Sequence, residues 1–182
     1  MQKGFSLLEL MVVIIITASV VGVIIPQINR YNKLEVLQDA ANQLQTSVKV
    51  AQNNAVSGVV CNNTASGKAN NWQLAITSST TYQITASCQV GVTPPVTNYK
   101  LPEGVSINNS QVVFDGICNA AINAGSGLPK AIFNNITGET NFHGGTGCPS
   151  VSYKKMAITL KHNSVANEPA NVVIEKGSSG IK

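Results

Sequence analysis

Hydrophobic and polar positions divide this chain into three regimes. Phe5 to Ile25 is a continuous apolar run in which only Ser6, Glu9, Thr17 and Ser19 are polar. Further on, Leu34, Leu37, Ala41, Leu44, Val48, Ala51 and Ala55 recur at alternating spacings of three and four. Arg30, Lys33, Glu35, Asp39, Gln43 and Lys49 mostly fall between them. That is the stripe of an amphipathic helix. From Val59 onward the apolar period shortens to two, the signature of half-buried strands.

These regimes predict one long helix from Phe5 to Val56, ended by Gly58, followed by a β-rich head over residues 58–182. The helix divides into an apolar half, 5–25, and an amphipathic half, 26–57. Candidate strands are Val59–Asn62, Trp72–Thr77, Tyr82–Gln89, Val105–Ile107, Gln111–Phe114, Ala131–Phe133, Met156–His162 and Val172–Glu175. Within the third of these, Tyr82, Ile84, Ala86 and Cys88 share a face. Turn-forming clusters separate the strands, among them TPP and HGGTG. The expected fold class is α+β, with an antiparallel sheet or pair of sheets packed on the helical stripe.

The apolar run is long enough to cross a bilayer core of about 30 Å at 1.5 Å per residue. A removable secretory signal fits poorly, because the apolar core is too long and no small-residue cleavage site follows it. A simple single-span anchor gives no reason for Glu9, since a carboxylate at the centre of a membrane helix costs about 2.5–3.5 kcal/mol. Glu9 lies nearer one end, where the cost is smaller but still uncompensated. A third reading supplies a partner. If the chain is cut between Gly4 and Phe5, the new ammonium lies one helical turn from Glu9. In a stack of identical helices, Glu9 of one subunit would then meet the ammonium of the next, and a buried pair of this kind sets register.

Composition adds two points. Charged residues are only 11% of the 182, and the net charge of +4 is spread thinly, so no nucleic-acid surface stands out. Four cysteines, Cys61, Cys88, Cys118 and Cys148, all lie beyond the apolar run. None forms CxxC, and His143 and His162 do not stand at zinc-ligand spacing, so no metal site is expected. In a head exported past a membrane they read as disulfides. Three pairings are possible. The sequential one, Cys61–Cys88 and Cys118–Cys148, is favoured because each bridge closes a short local loop; free buried thiols are the alternative.

The first thirty residues carry a resemblance. MQKGFSLLEL, with Lys3, Gly4, Phe5 and Glu9, resembles the type III signal of type IV pilins and type II secretion pseudopilins. The resemblance implies a leader at residues 1–4, cleaved after Gly4 by a prepilin peptidase, and N-methylation of Phe5. It assigns filament assembly to Glu9 and a helix kink to Pro26. The implied partners are other pilin or pseudopilin subunits, a membrane platform protein, an assembly ATPase, and membrane lipid before assembly. Lys3 would remain cytoplasmic, which places the head outside the inner membrane, on a single-pass topology. Arg30 and Lys33 on the far side argue mildly against that orientation. LQDAANQLQTSVKVAQNNAVSGVVC, VVFDG and NVVIEKGSSGIK look like H-type pseudopilins and T-type minor pilins. DNA-binding T-type members carry a basic C-terminal cluster; here only Lys182 is basic in SSGIK, which leaves DNA as a doubtful partner.

No catalytic constellation or cofactor motif stands out. HGGTG lacks the GK[ST] ending of a phosphate loop and reads as a turn near Cys148. Neither histidine has an evident nucleophilic partner, and Asp115 and Glu103 are not part of a calcium loop. The expected function is a structural filament subunit, not an enzyme. The alternative is a filament-tip module recognising DNA or a surface.

Overall fold

The computed structural model describes residues 6–59, 61, 69–88, 94–122, 127–135, 138–145, 148–149 and 152–176. One α-helix, α1, runs without interruption from Leu7 to Val56, with Ser6 at its N-cap. Its 50 residues span about 75 Å. Gly58 stops it as expected. With φ +63° it adopts the left-handed conformation that glycine tolerates. The amides of Gly58 and Val59 then bond back to the carbonyls of Ala55 and Asn54, which are the two bonds of a Schellman cap.

Pro26 lies inside α1. Lacking an N–H, it offers no donor to the carbonyl of Gly22 four residues earlier. Helical hydrogen bonding nevertheless continues on both sides of it.

The rear half of α1 behaves as its stripe demands. Leu37, Ala41, Leu44, Val48, Ala51 and Ala55 are buried, joined by Ala40 and Ser47. Leu34, where the stripe begins, is half-buried. Full burial of Leu44 is worth about 2 kcal/mol over leaving it in water. Alanine dominates the stripe, and its small side chain lets sheet and helix approach closely.

Two antiparallel sheets receive that stripe. The first has five strands: β1 (Asn71–Ile76), β2 (Thr81–Ser87), β3 (Val96–Lys100), β6 (Lys130–Asn134) and β7 (Thr140–His143), in the order β3-β2-β1-β6-β7. The second has four: β4 (Val105–Phe114), β5 (Cys118–Ala121), β8 (Lys155–His162) and β9 (Val165–Glu175), in the order β5-β4-β8-β9. Period-two burial is clearest in β1 (Trp72, Leu74, Ile76), β2 (Tyr82, Ile84, Ala86) and β8 (Met156, Ile158, Leu160). Helix α1 contacts β1 and β6 of one sheet and β4, β8 and β9 of the other, so a single core joins all three layers. Phe114 of β4 meets Phe142 of β7 at a ring-centroid distance of 6.4 Å, linking the two sheets directly.

Several strand boundaries depart from expectation. Val59 follows the helix cap and is not in a strand, and Cys61 is also outside one; Val60 and Asn62 lie outside the described residues. The expected strands Val105–Ile107 and Gln111–Phe114 are one strand, β4, with a register shift against β8 between Ile107 and Val112. β9 begins at Val165, seven residues before the expected start at Val172, and continues through Pro169. Proline is tolerated there because β9 is an edge strand. Strands β3, β5 and β7 have no counterpart among the candidates. β3 buries none of its five residues, while β5 and β7 alternate in burial over only four residues each, too short a run to stand out in the sequence.

Cys61 is bonded to Cys88 and Cys118 to Cys148, the sequential pairing. The first bridge ties the chain just after α1 to the end of β2. The second joins the start of β5 to the segment between β7 and β8.

Candidate functional site

The largest feature left uncovered by the fold is the front half of α1. Leu7, Leu8, Leu10, Met11, Val12, Val13, Ile14, Ile15 and Ile16 are all exposed, as are Val20, Val21, Ile24, Ile25 and Ile28. Among the described residues, full burial along α1 begins only with Leu37. The segment is long and apolar enough to cross a membrane. An isolated soluble domain does not leave so large an apolar surface in water, so this surface is built to be covered.

The polar residues within the run are consistent with an apolar surround. Thr17 Oγ1 donates to the carbonyls of Val13 (2.9 Å) and Ile14 (3.0 Å), and Ser19 Oγ donates to that of Ile15 (2.8 Å). Both hydroxyls are satisfied by their own helix and need no water.

Glu9 is different. It stands in the first turn of α1, exposed, three residues after the N-cap Ser6. The unsatisfied amides of a helix N-terminus favour a carboxylate there by about 0.3–1 kcal/mol. Ser6 and Glu9 also have the spacing of a capping box, a signal present in the sequence but not used above. Ser6 makes no side-chain cap bond, so the box is not closed. The helix dipole therefore offsets only part of the cost of holding Glu9 among apolar neighbours, and the remainder calls for a cation. Gly4 and Phe5, the expected cleavage and methylation positions, lie outside the described residues, as does Lys182.

Elsewhere, two of the residues considered for chemistry hold turns in place. His162 is buried at the end of β8, where its Nδ1 accepts from the amide of Ser164 (3.1 Å) and helps form the β8–β9 turn. Asp115 accepts two hydrogen bonds from the amide of Lys154, at 2.9 and 3.1 Å, and so fastens the β4–β5 turn to the start of β8. His143, Gly144 and Gly145 line a cavity of about 40 Å³ beside Cys148, Pro149 and Tyr153. That is room for about one water and no nucleotide. Among the described residues, no group of three or more His, Cys, Asp or Glu side chains could hold a metal ion.

Where α1 leaves the head, Arg30 forms an ion pair with Glu168 of β9. Sequence reasoning gave no hint of this contact, because 138 residues separate the partners.

Residues 1–25 match the prokaryotic N-terminal methylation motif. No curated protein and no solved structure matches the chain.

Proposed function

We propose that this type IV pilin-like precursor, processed by a prepilin peptidase and assembled with other pilins, is a minor pilin or pseudopilin. It is a structural subunit of a type IV pilus or type II secretion pseudopilus. The observation that carries the proposal is the division of α1. One continuous helix is apolar and exposed along its front half among the described residues, and serves as a core element of the head at the rear.

Cleavage between Gly4 and Phe5 would place a new ammonium one turn from Glu9. In the membrane, lipid covers the apolar half of α1; in the filament, the same half of neighbouring subunits replaces it. The exchange costs little, because helix neighbours and lipid tails are similarly apolar. The Glu9–ammonium pair between subunits then selects one axial offset from many that apolar packing alone would allow. The platform protein and the assembly ATPase supply the motive work, and the head stands outside the cytoplasm, where its two disulfides form.

Mass spectrometry of the protein recovered from cells expressing a prepilin peptidase tests this reading. The expected product begins at Phe5, carries one added methyl group, and is four hydrogens lighter than the reduced chain. A mature chain that retains Met1, or that begins near Pro26, overturns it.

A further inference from the structure

The apolar run has a definite end. At 1.5 Å per residue, about 30 Å of hydrocarbon is crossed in about 20 residues, which from Leu7 reaches Pro26. Ile28 is the last exposed apolar aliphatic residue of that run. Immediately beyond come Asn29, Arg30, Tyr31, Asn32 and Lys33. Tyr31 is 68% exposed on a helix that has not yet entered the head. From the head, Glu168 of β9 reaches this stretch and shares a groove of about 370 Å³ with Gln27, Arg30, Tyr31 and Leu34.

We infer that residues 27–33 of α1, with Glu168 of β9, form a seat in the headgroup layer of the bilayer. Tyr31 is the aromatic anchor of this seat, and the head rests on the membrane without a spacer. The inference rests on the reading of residues 7–25 as a membrane span. An amphipathic ring such as tyrosine is favoured at the level of the headgroups, its body towards the chains and its hydroxyl towards water. An unpaired arginine at this depth would turn to lipid phosphates. Arg30 is instead paired with Glu168, so its charge ties the head to the span. Both partners keep substantial exposure, 64% and 41%, as a site at a wet boundary requires. The tie leaves the Glu168 end of β9 at the same level as residues 27–33 of α1. The groove is thereby set against the headgroups, where Tyr31 supplies the aromatic contact with lipid.

Depth-dependent fluorescence quenching tests the seat with the full-length chain in phosphatidylethanolamine–phosphatidylglycerol vesicles. The vesicles contain lipid brominated either near the headgroup or near the chain end. Three exposed positions receive reporters: Tyr31→Trp, Asn167→Trp on β9, and Ile16→Trp within the span. The constant signal of buried Trp72 is subtracted using the unsubstituted chain. The expected result is severalfold stronger quenching of the indoles at 31 and 167 by bromine near the headgroup than by bromine near the chain end. The indole at 16 should show the reverse. If position 16 is quenched but 31 or 167 is not, the head stands off in water and the seat is refuted. Quenching at 31 as deep as at 16 also refutes it. If position 16 is unquenched, the span itself fails, and the seat fails with it.

Discussion

Ser47 Oγ lies 3.0 Å from Tyr82 Oη in a buried contact that joins the middle of the helical stripe to β2. Each is the other's polar partner between the helix and the five-stranded sheet, and Tyr82 also stacks on Tyr99 of β3 with ring centroids 5.1 Å apart. Ser47→Ala should therefore strand the phenol hydroxyl in the core and cost about 1–3 kcal/mol. Tyr82→Phe should cost less, because a helical serine can turn back to its own backbone carbonyl. The double variant should recover part of the Ser47→Ala loss. Thermal unfolding of the full chain in detergent, followed by near-UV circular dichroism, measures all three; equal losses that simply add would contradict this coupling.

The same phenol should set an alkaline limit. Burial raises the Tyr82 pKa above its ordinary value of 10.0, a neighbouring Tyr99 adds to the rise, and the Ser47 hydrogen bond opposes it. With the folded value raised, the unfolded chain loses this proton first as pH climbs. Stability from this group is full below pH 10 and falls as pH rises from there through the folded value. Unfolding midpoints measured across that range should drop less steeply for Tyr82→Phe than for the unsubstituted chain.

Two glycines with similar backbones should respond differently to alanine. Gly58 has φ +63° and open space around it, so Gly58→Ala should cost only the left-handed conformation, about 1–2 kcal/mol. Gly104 has φ +82°, and an added Cβ would stand 2.7 Å from His162 Nε2. His162 is buried and bonded to Ser164, so it cannot yield freely. Gly104→Ala should therefore destabilise by clearly more than Gly58→Ala, with the difference visible in chemical denaturation midpoints.

Each disulfide spans a loop of similar length, with sequence separations of 27 and 30. Replacing both cysteines of either bridge by alanine should lower stability by about 3–4 kcal/mol, mainly by freeing the unfolded chain. Comparing thermal midpoints with and without reductant checks the pair together. A reduced protein that melts at the oxidised temperature would contradict it.

Glu9→Ala should separate insertion from assembly. Removing the carboxylate lowers the cost of residing in lipid, so the variant should enter the membrane and be cleaved normally. Its share in sheared filaments should fall, because the register pair is gone. Immunoblots of membrane and filament fractions make the comparison, and normal incorporation would refute the pairing role of Glu9.

Much of this architecture was legible in the sequence because its signals are local. The 3–4 spacing of Leu37, Ala41, Leu44 and Val48 marks the buried face, and Gly58 marks the stop. Alternation at Tyr82, Ile84 and Ala86 marks the inner face of β2. What stayed hidden depends on distant partners. β3 buries none of its residues fully and only half-buries Tyr99, so pairing with β2 defines it and no apolar pattern announces it. β9 extends through Pro169 because it stands at the edge of its sheet, a fact that exists only once the strand order is known. Glu9 and the apolar run were evident at once, whereas Arg30–Glu168 required the fold to bring β9 beside the point where α1 leaves the head.

Because a single uninterrupted helix is both the apolar rod and one wall of the head, no loop separates the two. A pull on the head reaches the rod through consecutive backbone hydrogen bonds and the clasped alanine stripe. Any bending must be absorbed around Pro26, where the ladder lacks a donor. A fibre assembled from such units would be stiff in tension and would flex within its own axis, leaving the heads intact.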